Sequence, residues 1–513
     1  RDDLVTGVQT CALPILAGAS KNYQSNVNQS TVNAGGDAKV AVTSSLNLDL
    51  TVNPDFSQVE VDDQPVNLTR FSIQLPEKRQ FFIENNDLFA RFGFSQIRPF
   101  FSRKIGIYNG QHVPILYGAR LSGKVNENWR IGLMNMQTGN KDLLIGSDTV
   151  SVSAQNYTVA AAQRKLFRRS NVAAIFVNRQ QIDNNGIDHS DYNRIIRLDY
   201  NLASADNKWQ GKLFHHQAIA PGKEINYEAS ANASWLMYST QNLFVMWNHE
   251  YVGKDYIADV GFVRRNRQYN PEAGAYEFNS YYRLEPKIEY KFYPKRGPIN
   301  FHGPSIYWDY YADYQFKTTD NFIMPHYKFT FRNTSSFEIH YHEWFTRLLY
   351  DTDVTFTGSN SRLPAGRYNY RGGVLKYQSD RRKILNGNIN LAYNSYYTGT
   401  RFSTSGNINY RVQPWGIFSM TFSHNRISIP QPYSKALITR IGPKVELSFT
   451  KSLFLSTLIQ YNTQINNLNV NARLQWRFKP MSDLYVVYTD NYDPNLAIKN
   501  RALVVKFIYW LSI

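Results

Sequence analysis

Cysteine is almost absent from the chain, with one residue, Cys11, in 513. A disulfide-stapled fold and a thiolate metal site are therefore excluded. No run of 18 or more apolar residues occurs, so ordinary membrane-spanning helices are excluded as well. Helical periods are scarce. No GxSxG elbow, Gly-rich phosphate loop, HExxH or CxxC can be found, so the common signatures of catalysis are missing. Acidic side chains are in the minority, 40 against 57 Lys and Arg, for a net charge of +17. Those cations are scattered along the chain and form no basic helix or nucleic-acid module. The charge therefore suits lipopolysaccharide or an anionic glycan, and nucleic acid is not an expected partner.

What the chain has in excess is aromatic residues, 36 Tyr, 31 Phe and 9 Trp, in a sequence that is polar on average. Alternation reconciles the two. From Leu468 to Phe478 the apolar phase is Leu468, Val470, Ala472, Leu474, Trp476 and Phe478, against Asn469, Asn471, Arg473, Gln475 and Arg477. Leu385 to Tyr397 repeats it with Asn386, Asn388, Asn390 and Asn394 on the polar phase. Runs of about ten such residues, closed by Asn, Asp, Gly, Pro or Ser, are how a transmembrane β-strand and its turn read in sequence. The fold class is all-β, an antiparallel outer-membrane barrel of about 22 strands. A tandem of β-sandwiches fits less well, since its faces need not alternate so uniformly.

Taken in order, the first strand expected is Lys39 to Val52, then a hairpin of Ile115–Lys124 and Trp129–Gln137. Further strands follow at regular spacing, including Tyr276–Leu284 and Phe337–Leu348. Leu503 to Ile513 is expected to close the barrel, and this terminal amphipathic strand resembles the signal that the outer-membrane assembly machinery reads on its clients.

Two stretches break the pattern. Val5 to Ile15, VTGVQTCALPI, is the in-frame translation of a common sequencing-adapter oligonucleotide. Residues 1–15 are accordingly treated as a non-native scar and 16–513 as one barrel domain. The second stretch, Asn53 to Ile107, mixes carboxylates, cations and paired aromatics such as Phe81–Phe82 and Phe100–Phe101, a mixture that cannot face lipid. It is expected to be an insert in the lumen, a plug, or a lid outside the membrane.

Within that insert, Asp55, Glu60, Asp62, Asp63, Arg70, Glu77, Lys78, Arg79 and Glu84 are the candidate ligand-binding residues. Carboxylate pairs such as Glu60 with Asp62 or Asp63, and Glu77 with Glu84, have the residue types of a glycoside hydrolase. The interleaved Arg and Lys more simply make structural ion pairs of them. FEIHYHE puts Glu338, His340 and His342 on one face of a strand, but same-face neighbours stand about 7 Å apart. A polar lumen stripe accounts for them equally well. No metal or cofactor is expected.

TVNPDFSQVEVDDQPVNLTRF followed by PEKRQFFIENNDLF resembles the signature of a Gram-negative outer-membrane family. Its members carry a family 9-type carbohydrate-binding domain ahead of a C-terminal domain of unknown function. The resemblance runs from about Lys21 to the end and departs at Gln80, where relatives commonly have Pro. It implies an outer-membrane barrel, the carbohydrate-binding domain lying outside this sequence. Its expected role is non-enzymatic, linked to carbohydrate binding or passage of a substrate across the outer membrane. An outer-membrane hydrolase acting on glycan or lipid is the alternative. Expected partners are outer-membrane lipid and lipopolysaccharide, the assembly machinery, and a glycan as candidate ligand.

Overall fold

The computed structural model describes residues 7–23, 26–54, 62–145, 148–183, 186–433 and 435–512. Its main sheet has 26 strand segments, all neighbours antiparallel, and it closes on itself where Gly7–Asn22 pairs with Ile498–Ser512. Two staves are each broken in two, Val27–Ala34 with Gly36–Thr43 and Tyr281–Leu284 with Lys287–Tyr290. The closed barrel therefore has 24 staves, not 22.

Three gains and one loss account for the count, the loss being that Tyr276–Leu284 and Lys287–Phe292, expected as two strands, contribute the two halves of one stave. Lys39 to Val52 is two staves, because Ser44-Ser45 turn the chain between Gly36–Thr43 and Leu46–Val52. Gly366–Gln378 is a stave that alternation missed. Its outward positions near the long-loop end are Arg367, Asn369 and Arg371, so it loses its apolar phase before it reaches the rim. The barrel also begins at Gly7, nine residues before the expected boundary at 16, because the ladder runs through the adapter-like string. There Ala12 and Leu16 are buried while Leu13 and Ile15 are exposed, the same alternation as in the other staves. Tyr276–Leu284 in turn divides into a hairpin strand, Ala275–Phe278, and a stave that starts at Tyr281.

Alternation decides which side chains see lipid. On Leu385–Tyr396, Leu385, Ile389, Leu391 and Tyr393 are exposed, while Asn386 and Asn394 are buried toward the lumen. Across Trp476, Phe478, Phe507 and Tyr509 the outward rings lie nearly parallel or edge-on, with centroids 5.3 to 6.4 Å apart. An apolar outer wall with aromatic clusters and a polar interior is the surface of an outer-membrane barrel. The molecule is such a barrel.

The two ends differ. One has short turns, at Ser44-Ser45 and Pro480-Met481 among others, and the other has the connections 53–114, 253–280 and 349–365. Outer-membrane barrels keep short turns on the periplasmic side, so the long connections are extracellular. Residues 53–114 leave the wall after the seven-residue stave Leu46–Val52, about 23 Å along the strand at about 3.3 Å per residue. The insert therefore enters the barrel part-way up its wall. Gly35 sits at this exit, where a Cβ would stand 2.3 Å from the Asn53 carbonyl oxygen, so the broken stave needs a glycine there.

Candidate functional site: the lumen insert and the vestibule above it

The insert's apolar side chains explain where it sits. Phe82, Leu88, Phe89, Phe92, Ile97, Phe100 and Ile105 are buried in one cluster with inward residues of the wall from Ile115 to Tyr311. Two short helices, Gln80–Ile83 and Asp87–Ala90, present the first three of them. Gln80 is the first helical residue, a position that also suits Pro, so the departure at Gln80 leaves this turn intact. At Gly93 the backbone has φ +75°, and a Cβ would stand 2.0 Å from the Ile97 carbonyl oxygen. Only glycine fits this reversal.

Cations on the wall hold the insert by its backbone. Arg120 donates to the carbonyl of Phe81 and, at 2.7 Å, to that of Glu84, while also pairing with Asp49. Lys212 donates to the carbonyls of Arg91 and Gly93 at 2.8 and 3.2 Å. On the opposite wall the extended segment 62–68 is held by glutamines. Gln460 Oε1 accepts from Gln64 N–H at 2.9 Å, and Gln464 accepts from Asn67 N–H at 2.9 Å and donates to its carbonyl at 2.6 Å. The insert thus reaches across the lumen from one wall to the other.

The candidate ligand-binding residues are scattered through this structure. Asp55 and Glu60 lie outside the described residues. Asp62 pairs with Arg103 and, at 3.4 Å, with Lys78. Asp63 is 75% exposed and stands 3.6 Å from Arg440 on the wall. Arg70 reaches Asp320 at 2.6 Å, and Glu84 pairs with Lys39. Arg79 Nε and Nη2 donate to Glu77 at 2.9 and 2.8 Å, and Ser102 donates to the same carboxylate at 2.7 Å. Burial pushes the Glu77 pKa up, but the Arg79 hydrogen bonds and charge outweigh it and leave the group below its ordinary value. Glu77 therefore lacks the raised pKa of a general acid, and Glu84 is held by a different cation. Among the described residues Arg477 pairs at 3.2 Å with Asp483 of the adjacent stave.

His340 Nε2 lies 2.9 Å from Glu338, and the His340 ring stacks on His326 with centroids 4.6 Å apart. His342 is flanked by the rings of Phe322 and Trp344. Among the described residues no group of three or more His, Cys, Asp or Glu is arranged to hold a metal ion.

Sequence reasoning missed the second inward connection. Residues 253–266 fold down beside the insert, with Tyr256 fully buried and its hydroxyl 2.7 Å from His216 Nδ1. Phe262–Val263 pairs with Ile97–Arg98 as a two-residue ladder. Above this contact lies a cavity of about 520 Å³, walled by the insert at 67–72, by residues 256–278 and by residues 348–362. It is a vestibule open to the extracellular end. Arg70, Lys104, Arg264, Arg267 and Arg362 line it, against Asp259, Asp351 and Asp353. The acids are already engaged. Asp259 pairs with Arg179 at 2.9 Å, Asp351 accepts from Ala365 N–H at 2.9 Å, and Asp353 accepts from the N–H groups of Thr355, Thr357, Gly358 and Ser359. Burial and then the charge of Arg267 hold the Lys104 ammonium below its ordinary pKa. Arg267 lies 3.9 Å from the centroid of Tyr276, which meets Tyr269 edge-on at 5.3 Å. The run Arg264, Arg265, Arg267 was the available signal, a cluster of cations on a segment without strand alternation.

The family model described as a domain of unknown function (DUF5916) matches residues 11–428. No curated protein matches the sequence. Solved structures similar to it include the siderophore receptor PirA from Acinetobacter baumannii, 8% identical, covering 98% of this chain and 81% of that one, with a TM-score of 0.45. PirA from Pseudomonas aeruginosa is 10% identical with the same coverage and a TM-score of 0.45. The copper transporter OprC is 8% identical, covers 98% of this chain and 81% of its own, and has a TM-score of 0.41.

Proposed function

We propose, for a chain that belongs to the DUF5916 family, a gated outer-membrane barrel that binds an anionic, sugar-like solute in its extracellular vestibule and passes it through the lumen. The observation that carries this reading is the vestibule's uncommitted positive charge beside an edge-on pair of tyrosines. Arg264, Arg267 and Lys104 supply charge for carboxylate, sulfate or phosphate groups, and Tyr269 with Tyr276 supplies a face for a sugar ring. The insert lies below the vestibule and fills the route onward. Of the residues first singled out, Arg70 alone lines the vestibule, and the other described candidates act through ion pairs within the insert or between the insert and the wall.

The test is binding of a sulfated or uronic-acid oligosaccharide to the full barrel in detergent, by calorimetry at two salt concentrations. Binding should weaken at high salt and fall at least tenfold in Arg264→Ala/Arg267→Ala, as for the loss of two charge-assisted contacts. A neutral oligosaccharide bound equally well, or a double variant that binds like wild type, refutes the vestibule as the site.

A further inference from the structure

The outer wall carries a second constellation, on the staves Trp209–Ile219, Ser230–Ser239 and Leu243–Val252. Register sets His215 opposite Asn232, and Ser234 opposite His249. All four point away from the lumen, since their chain neighbours Phe214, His216, Ala231, Ala233 and Glu250 are buried on the inner side. Together they line a groove of about 800 Å³. Its walls include Leu198 and Leu213, each 57% exposed, and Trp247, so it opens onto acyl chains. At its extracellular end Tyr227 stacks on Tyr251 with centroids 4.1 Å apart, and Tyr282 on Phe316 at 4.6 Å. Outward positions of a membrane barrel are normally apolar, and four polar side chains gathered at one of them call for a use.

Their hydrogen bonds run in one direction. Ser230 Oγ donates to the Tyr227 carbonyl at 2.8 Å, and Asn232 Nδ2 donates to Ser230 Oγ at 2.9 Å. This orients the Asn232 amide so that Oδ1 accepts from His215 Nδ1 at 2.6 Å. The proton therefore sits on Nδ1 and the basic lone pair on Nε2, the tautomer a general base requires. Ser234 shares a face with Asn232 two residues along, diagonal to His215, and diagonal neighbours about 7–8 Å apart lie within reach of an aromatic side chain.

We propose that Ser234, His215 and Asn232 form a lipid-facing hydrolase site for the ester-linked acyl chain of an outer-leaflet lipid. Ser234 Oγ attacks the ester carbonyl carbon while its proton passes to His215 Nε2. The ester C–O bond breaks, and His215 returns the proton to the departing alcohol. Water then attacks the acyl-serine, giving a proton to His215 and releasing the fatty acid as Ser234 recovers its own. His249, across from Ser234, donates to the oxyanion. Asn232 is a positioning residue. The groove takes the chain and excludes bulk water from the carbonyl.

The test uses the full chain in mild detergent, with folding of every variant checked by heat-modifiable migration. A fluorophosphonate probe, with peptide mass spectrometry, should label Ser234 in wild type and nothing in Ser234→Ala. Fatty-acid release is followed in two arms, phosphatidylethanolamine and lipopolysaccharide in mixed micelles, and the arm that turns over names the lipid. His215→Gln should slow release by about 10²-fold or more, as for loss of a general base. Asn232→Ala should do the same, with rescue by Asn232→Asp, which keeps the acceptor for His215 Nδ1; a merely structural Asn232 gives no rescue. Leu391→Ala, on the lipid face of the distant stave Leu385–Tyr396, should leave release unchanged, which separates this site from a general disturbance of the barrel surface. Absence of label on Ser234, release undiminished in Ser234→Ala, or label without release from either lipid overturns the proposal.

Discussion

Replacing Arg120 by Ala tests whether the insert is held by the wall. Arg120 is 2% exposed and has two kinds of partner, the Asp49 carboxylate of the neighbouring stave at 2.7 Å and the insert carbonyls of Phe81 and Glu84. Breaking a buried charge pair costs about 3–5 kcal/mol, because the remaining charge is left without a partner. Part of that falls on the wall through Asp49. The insert's share is two hydrogen bonds from a charged donor, about 1.5–3 kcal/mol each, so at least about 3 kcal/mol of docking free energy is lost. At about 1.4 kcal/mol per factor of ten, the undocked population should rise about 10²-fold. Native-state hydrogen exchange reads this directly at the Leu88, Phe89 and Ala90 amides, which are bonded within the insert to Asn85 and Asn86. The paired variant Arg120→Met/Asp49→Asn removes the stranded carboxylate but not the lost insert contacts. Its barrel amides should return to wild-type protection while the insert stays fast. Insert exchange within about threefold of wild type in both variants would refute the claim that Arg120 anchors the insert.

Glu77 predicts a pH dependence. Its folded pKa is depressed, so its contribution is fully present above the ordinary carboxylate value of 4.5 and is lost as pH falls through the folded value. Insert exchange, corrected for intrinsic rates, should therefore accelerate below about pH 4.5, and Glu77→Gln should abolish the step; a step of equal size in the variant assigns it elsewhere. Deletion of residues 58–94 should open a steady conductance in planar bilayers, whereas a folded deletion no more conductive than wild type would put the closure elsewhere. Gln460→Ala/Gln464→Ala should give brief openings in the same recordings, with Phe89 still protected from exchange. Protection lost at Phe89 at the same time would mean that the insert moves as one body.

How much of this was legible in the sequence follows from which faces meet water. Staves such as Leu385–Tyr396 and Asn467–Lys479 touch lipid on one side and polar lumen on the other, so their period of two survives and their ends were placed within a residue or two. Gly366–Gln378 was lost because half of it stands where both faces are polar. The insert was recognisable as foreign to the wall by its mixed charges, but its partners were not. Glu77 bonds Arg79 two residues away, whereas Arg70 bonds Asp320 across 250 residues, and local spacing could suggest only the first. The outward triad was invisible for the same reason, since His215 meets Asn232 only through strand register.

The insert is fastened unequally. Toward the staves from Ile115 to Tyr311 it buries Phe82, Phe89, Phe92 and Phe100, and each large apolar side chain contributes about 1.5–3 kcal/mol. Toward Gln460 and Gln464 it is joined by hydrogen bonds between neutral groups, each worth about 0.5–1.5 kcal/mol net and replaceable by water, by the exposed Asp63 beside Arg440, and by only two partly buried apolar side chains, Val66 and Leu68. A thermal opening therefore begins on the glutamine side, where segment 62–68 can lift while the phenylalanines stay seated. That side lies below the vestibule, whose floor begins at Asn67. A bound anion that drew Arg70 from Asp320 would act on the same segment, since Arg70 lies two residues beyond Leu68. One cation of the proposed vestibule, Arg70, thus adjoins the part of the insert least firmly held, which is where binding would be coupled to opening with the smallest change in free energy.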